Sequence, residues 1–261
     1  MTPLVVVTRQ EDAAEPLIAA IEGRGLRAWH VPATMTVAAP DDALGREIES
    51  LADTDWLALT SPQAVEALVT HPSWSRAWSE ARDRVSVASV GPATTAALTH
   101  AGIAVALEAP GTGAAALGAA LSLDPAGLRG RRLLWPRSDL ADVGWTALLE
   151  AEGAQVAAPV AYSTVEVPIT ALAVLPAALG AGEVAAVTFC SPSSARSVAR
   201  VFEASLARIS ARAAIAVLGK TTARAVEELG GHVDVVARRP EPDILAEDLA
   251  RHMTTRDKGA S

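Results

Sequence analysis

The sequence has one cysteine, Cys190, among 261 residues. That excludes a disulfide framework and a cysteine-built metal site, and it fits a reducing compartment. Aromatic residues are almost as scarce, at 3% of the chain, with Tyr162 as the one tyrosine. Half of the residues are nevertheless hydrophobic, so the core is expected to consist of Ala, Val and Leu in closely packed layers. No basic stripe is present. The formal net charge is −8, and Arg131-Arg132 and Arg238-Arg239 are isolated pairs that read as solvated loop charges. No nucleic-acid partner is expected. No apolar run is long enough to span a membrane. The most apolar stretch, Ala171 to Cys190, is interrupted by Pro176, Gly180, Gly182 and Glu183 and reads as helix end, turn and buried strand. The apolar run near Met1 is short and has no basic region before it, so no signal peptide is expected.

Several catalytic signatures are absent too. His30, His71, His100, His232 and His252 are scattered without ligand spacing, and no metal site is expected. There is no Gly-x-Ser-x-Gly elbow. The first strand is not followed by a Gly-x-Gly-x-x-Gly turn, and Gly111-Thr112-Gly113 lacks the third glycine. Gly219-Lys220-Thr221-Thr222 has the form of a P-loop ending, but position 214, where that motif needs glycine, is Ala214. Cys190 ends an apolar strand and reads as a small buried hydrophobe.

What is there is an alternation of short β-branched runs with Ala/Leu-rich segments of helical period. Leu4–Val7, Trp56–Leu59 and Val85–Val90 read as strands. Ala14, Leu17, Ile18 and Ile21 share one face of a helix that Gly25 closes. Ser61-Pro62 opens another helix, with proline in the first turn. Gly91 leads into a helix over Thr94–Ala101, ended by Gly102. Strand and helix alternating in this way predict an α/β protein with parallel sheets. The polar tail from Thr254 to Ser261 lacks periodicity and is expected to be disordered.

The second half repeats the first. Arg137 follows Arg9 by 137 − 9 = 128 residues, and Gly153, Gly219, Thr222 and Gly230 follow Gly25, Gly91, Thr94 and Gly102 by the same lag. Cys190-Ser191-Pro192 echoes Thr60-Ser61-Pro62 at a lag of 191 − 61 = 130. Tyr162, in the β-like run Val160–Val165, has Thr34 as its partner at 128. Such a period is too long for a solenoid and indicates duplication of a whole α/β unit.

The repeated polar residues fall just after predicted strands: Thr8-Arg9, Thr60-Ser61, Gly91 to Thr94, Arg137-Ser138, Ser191 to Ser194 and Gly219 to Thr222. Ligands of open parallel sheets bind beyond the carboxyl ends of the strands. Helix starts there offer unpaired backbone N–H groups and a partial positive charge, which suits carboxylates or phosphates. Ser61, Thr94, Ser191 and Thr222 also read as plain helix caps, a role compatible with binding. Arg9 and Arg137 have Asp12 and Asp139 nearby as alternative partners.

These motifs, in this order, resemble the uroporphyrinogen-III synthase family over nearly the whole chain. The matching segments are Val7-Thr8-Arg9, Thr60-Ser61-Pro62, Val90 to Thr94, Leu128 to Leu134 with Pro136-Arg137, Gly153 to Thr164, Thr188 to Pro192 and Leu218 to Thr222. Lys220 and Cys190 depart from the family's usual residues. The resemblance implies two flavodoxin-like parallel-sheet domains joined by a two-stranded antiparallel connector. One domain would comprise residues 1–33 plus 168–253, the other 38–160, with connector strands at 34–37 and 161–167 and a substrate cleft between domains on a hinge that opens and closes. It also implies a cytoplasmic monomer that needs no cofactor and meets transiently the upstream enzyme that makes hydroxymethylbilane. Some relatives carry an extra DNA-binding domain, for which the residues after Met253 are expected to leave no room.

The implied reaction closes that linear tetrapyrrole polycarboxylate to uroporphyrinogen III, with loss of water and inversion of the last pyrrole ring through a spiro intermediate. Tyr162 matches a family tyrosine that assists departure of the hydroxyl by hydrogen bonding. Ser61, Thr94, Ser191, Ser193 and Thr222 would hold the acetate and propionate arms, within a rim that also includes Thr8, Arg9, Gly91, Arg137, Ser194, Gly219 and Lys220. Two other readings remain open on the same fold: a non-catalytic tetrapyrrole- or anion-binding regulatory module, and a binding protein for a phosphorylated or carboxylated small molecule.

Overall fold

Val5, Val6 and Val7 are all fully buried, which a short strand achieves only where both faces of its sheet are covered. That condition recurs through the computed structural model, which describes residues 2–39, 42–111, 113–125 and 127–259. The strands are β1 (Leu4–Val7), β2 (Arg27–His30), β3 (Thr34–Ala38), β4 (Trp56–Leu59), β5 (Ser86–Val90), β6 (Leu107–Ala109), β7 (Arg132–Leu134), β8 (Arg137–Ser138), β9 (Gln155–Ala157), β10 (Val160–Glu166), β11 (Val184–Phe189), β12 (Ala214–Val217) and β13 (Val235–Val236). The α-helices are α1 (Glu11–Glu22), α2 (Ala43–Glu49), α3 (Pro62–Val69), α4 (Trp74–Ala81), α5 (Pro92–His100), α6 (Gly113–Leu121), α7 (Thr146–Ala151), α8 (Val174–Gly180), α9 (Pro192–Ala199), α10 (Ala207–Ser210), α11 (Lys220–Glu228) and α12 (Pro242–Gly259).

The chain divides into two compact units, Met1–Met35 with Val165–Ser261, and Thr36–Thr164. The first unit holds a sheet of order β13-β12-β11-β1-β2, the second a sheet of order β6-β5-β4-β7-β9, and every pairing in both is parallel. The two orders are the same once each strand is exchanged for its repeat partner. The first residues of β7, β9, β11, β12 and β13 follow those of β1, β2, β4, β5 and β6 by 132 − 4, 155 − 27, 184 − 56, 214 − 86 and 235 − 107, each 128. Repeat and unit nevertheless do not coincide. β1 and β2, from the first repeat, lie in the sheet of β11, β12 and β13, from the second.

Alternation along each strand builds a core on both faces. In the first unit Val5 and Val7 join Leu17 and Ile21 of α1 and Leu245 and Leu249 of α12, whereas Val6 joins Phe189, Val198 and Phe202 on the other face. In the second unit Leu57 and Leu59 pack with Ile48, Leu68 and Leu98. Ala58, Leu133 and Trp135 pack with Leu117, Leu121 and Leu149 on the opposite face. Few aromatics are needed because small Ala and Gly let the layers approach. At Gly118 of α6 a side chain would stand 2.6 Å from Cε3 of Trp145.

The expected connector strands, β3 and β10, neighbour each other and gain a third strand. The connector segments fall in a three-stranded sheet, β3-β10-β8, in which β10 runs parallel to β8. The extra strand arises because Pro136 has no N–H with which to continue β7. The chain then pairs anew: Arg137 N–H donates to Pro159 O at 3.0 Å and Asp139 N–H to Tyr162 O at 3.1 Å. Within the tail from Thr254, α12 runs on to Gly259, and residues 260–261 lie outside the described residues. Thr254 and Thr255 donate their hydroxyls to the carbonyls of Ala250 and Arg251, which lets polar residues continue the helix without an apolar face. Among the described residues no helix is long and apolar enough to cross a membrane.

Candidate functional site

In each five-stranded sheet the direction of winding reverses once, between β11 and β1 in the first unit and between β4 and β7 in the second. The loops leaving the carboxyl ends of such neighbours diverge, which opens a crevice for ligands. The residues there are Thr8-Arg9 and Cys190-Ser191 in one unit, and Thr60-Ser61 and Trp135-Pro136-Arg137 in the other.

At the crevice of the first unit is a cavity of about 190 Å³ lined by Arg9, Gln10, Thr34, Cys190, Ser191 and Ser194, with no acidic residue among its described lining. Ser191 caps α9. Its Oγ accepts from Ser194 N–H at 3.2 Å, and Ser194 Oγ donates to Ser191 O at 2.8 Å. Ser193 Oγ lies 2.9 Å from Ser191 Oγ. The cap reading holds at this helix start, and a cap is compatible with binding there. The Arg9 guanidinium makes no hydrogen bond or ion pair with a described residue, while the side chain of Asp12, its expected alternative partner, lies outside the described residues. His30 Nε2 donates to the Arg9 carbonyl at 2.8 Å and fixes the main chain there. Burial pushes the Cys190 thiol pKa up, and the charge of Arg9 acts against that rise. Thr8 is different from its neighbours. It is fully buried, and its Oγ1 donates to Thr188 O at 2.6 Å, tying β1 to β11.

At the crevice of the second unit Ser61 caps α3, accepting from Ala64 N–H at 3.1 Å, and its Oγ lies 2.9 Å from the Tyr162 hydroxyl. Trp135, fully buried, donates its indole N–H to Thr60 Oγ1 at 3.2 Å. Arg137 does not pair with Asp139. Its Nε donates to Ala158 O and its Nη1 to Ser138 O, each at 3.0 Å, so it braces the main chain beside β9 and β10. Asp139 Oδ1 accepts from Ser138 Oγ at 3.0 Å.

One strand further out, the remaining predicted residues open α5 and α11 at the carboxyl ends of β5 and β12. Gly91 has φ +83°, a left-handed conformation that favours glycine. Gly219 is extended and has no such need. Thr94 and Thr222 are buried at 3% and 4% exposure, and Lys220 is exposed at the first turn of α11. First-turn N–H groups, such as those of Ala93 and Thr221, have no intrahelical acceptor.

The structure thus brings Arg9, Ser191 and Ser194 into one cavity and joins Ser61 to Tyr162. It separates Thr8 from any opening and turns Arg137 toward carbonyls. Thr34, Gln10 and Cys190 line the cavity although sequence reasoning assigned them no binding role. The signal for Thr34 was its repeat relation to Tyr162, 162 − 34 = 128. Among the described residues no three His, Cys, Asp or Glu side chains gather as a metal site.

Comparison with known proteins covers nearly the whole chain. A family model described as uroporphyrinogen-III synthase HemD matches residues 15–247. A uroporphyrinogen-III synthase of Synechococcus elongatus is 28% identical over 265 residues, covering 96% of each chain. The crystal structure of uroporphyrinogen-III synthetase from Helicobacter pylori superposes with a TM-score of 0.59 at 17% identity, covering 97% of this chain and 100% of that one. A mutant uroporphyrinogen III synthase from Thermus thermophilus gives 0.53, at the same identity and coverage. At that identity the structures speak for the shared fold, and the family model speaks for membership. The chain belongs to the uroporphyrinogen-III synthase family.

Proposed function

We propose that this enzyme converts hydroxymethylbilane into uroporphyrinogen III and water. The observation that supports this most directly is the 2.9 Å hydrogen bond between Tyr162 and Ser61 at the crevice of the second unit. Loss of water requires a donor at the terminal hydroxymethyl oxygen while the pyrrole nitrogen supplies electrons to break the C–O bond. A phenol is neutral at pH 7. A hydrogen bond given by Ser61 to its oxygen makes the O–H a stronger donor. The carbocation-like terminus is then attacked by the substituted carbon of the last ring. The spiro centre opens, closes again at the other position, and loses a proton. Reactant and product differ by one water, so the sequence is redox-neutral and calls for no oxidant or reductant.

The substrate also closes unaided, without inversion, to isomer I. The protein's task is therefore to hold one folded conformer, which is catalysis by positioning and electrostatics. In this reading the acetate and propionate arms are held by main-chain N–H groups and side chains at the starts of α3, α5, α9 and α11, from Ser61, Gly91, Thr94, Ser191, Ser193, Ser194, Gly219, Lys220 and Thr222, with Arg9 as a guanidinium partner. Thr8 and Arg137 maintain the two rims from behind. A substrate this labile also favours transfer directly from the enzyme that makes it, in the same cytoplasmic compartment.

The test is to supply freshly generated hydroxymethylbilane, oxidise the products and measure the ratio of uroporphyrin isomers III and I. Isomer III in excess is expected. Isomer I alone would overturn the reading and leave a binding module on this fold.

A further inference from the structure

We infer that the cavity at the crevice of the first unit is a subsite for a single carboxylate arm, occupying the place that Tyr162 fills in the second unit. Naming the arm as acetate or propionate of a tetrapyrrole rests on the proposed function. The subsite itself rests on the geometry.

The first support is the repeat. Thr34 is the partner of Tyr162, and Ser191, which caps α9, matches Ser61, which caps α3. In the second unit the phenol spans the gap and meets Ser61 Oγ at 2.9 Å. In the first unit a threonine stands at the equivalent position, and Thr34 and Ser191 line a cavity of about 190 Å³ instead. Pockets for whole ligands run to roughly 300–1,000 Å³, so this one suits an arm rather than a molecule.

The second support is Thr34 itself. It is 4% exposed, it lines the cavity, and its hydroxyl makes no hydrogen bond to a described residue. On the cavity wall, that hydroxyl is available to donate to a carboxylate oxygen placed there.

The third support is charge. Arg9 is the charged residue among the described lining, and no carboxylate there competes for it. Its repeat partner, Arg137, is engaged by two main-chain carbonyls. The two arginines of the duplicated motif have therefore diverged, one toward a ligand and one toward the fold. Planar guanidinium pairs with a carboxylate through two hydrogen bonds, and the hydroxyls of Ser191 and Ser194 are already engaged in their cap. Recognition then falls to Arg9 and Thr34.

Cys190, the one cysteine of the chain, lines the same cavity and reports its occupancy. The rate of Cys190 alkylation by iodoacetamide is measured at alkaline pH with glutarate, against sodium chloride of equal ionic strength. Glutarate is expected to slow the reaction at least fivefold in the native protein. Arg9→Gln and Thr34→Val are expected to lose that protection, and Thr34→Phe, which fills the cavity, to show no glutarate dependence. Arg137→Gln should keep it. With hydroxymethylbilane as substrate, Arg9→Gln should raise KM about tenfold or more. An alkylation rate indifferent to glutarate in the native chain, or protection that survives Arg9→Gln, overturns the subsite. Protection in a chain that makes only isomer I keeps the subsite and removes the reaction, whereas isomer III without protection does the reverse.

Discussion

Ser61 holds two positions at once, as acceptor for Ala64 N–H and as neighbour of the Tyr162 hydroxyl. The two roles separate by substitution. Tyr162→Phe should lower kcat by about 10²-fold or more, the range for loss of a positioned proton donor, with KM changed little. Ser61→Ala should lower kcat less and reduce stability by about 1 kcal/mol through the lost cap. Steady-state kinetics beside thermal denaturation distinguish them, and full activity of Tyr162→Phe would remove the donor role. The repeated arginines show what a residue pattern cannot reveal. Arg9 and Arg137 follow equivalent strands in equivalent motifs, and the order of residues alone left both open to an acid or a ligand. Their difference depends on where the main chain goes after Pro136, which brings the carbonyls of Ala158 and Ser138 within reach of one and not the other. Thr34 was equally unreadable as a ligand residue, because a lone threonine in a strand is ordinary until a cavity is found beside it.

A second residue-level case concerns acid. Burial raises the Asp55 pKa, but the N–H of Arg132 and the guanidinium of Arg131, 2.6 Å from Oδ1, outweigh it and hold the carboxyl below its usual value. A lowered folded-state value favours the charged form in the folded protein. The stability it contributes is present above about pH 4, the ordinary carboxylate range, and is lost as pH falls through the lowered value. The Tm of the native protein should therefore fall between about pH 5 and 3 more steeply than that of Asp55→Asn. Parallel curves by circular dichroism would contradict this.

Among elements, the strands with continuous apolar runs were readable, as β1 and β4 show, because burial on both faces leaves only apolar residues available. Two-residue strands such as β8 and β13 carry too little pattern to read. Their existence depends on partners far along the chain. The end of α12 lacks a readable pattern for the opposite reason. Helical hydrogen bonding needs no apolar stripe, so a polar segment without periodicity can still continue a helix. Packing between α6 and α7 gives the sharpest element-level prediction. Trp145 and Trp135 meet edge to face with centroids 4.7 Å apart, and Gly118 is the space into which Trp145 fits. Alanine is the better helix former by about 1 kcal/mol, yet Gly118→Ala should destabilise by roughly 1–3 kcal/mol through overpacking. Urea denaturation checks the sign, and a more stable variant would refute the packing argument.

At the scale of the whole molecule, duplication was legible as a lag of 128 residues, because glycines, Ser-Pro pairs and arginines recur in order. The exchange of β1 and β2 into the sheet of the second repeat leaves no local trace, since the same strands would pair equally well by pattern in either sheet. That topology predicts the outcome of a truncation. Without residues 1–33 the first unit loses β1 and β2, and β11 exposes a long apolar edge. Hydrogen exchange should then show lost protection over β11, β12 and β13, with protection retained over β4, β5, β7 and β9. Five of the six tryptophans, all except Trp29, lie in the second unit, so tryptophan fluorescence should remain native-like in the same variant.

The displaced first strands also have a consequence in time. A ribosome delivers β1, α1 and β2 before anything else, yet the strand that β1 lies against begins at Val184. At roughly 5–20 residues per second, the opening segment waits on the order of ten seconds or more for its partner, while the intervening unit has all its own strands and can close first. Nascent chains arrested near residue 170 should therefore show a protease-resistant middle and a cleavable beginning. The valines of β1, fully buried in the finished enzyme, are the ones left longest in need of a chaperone.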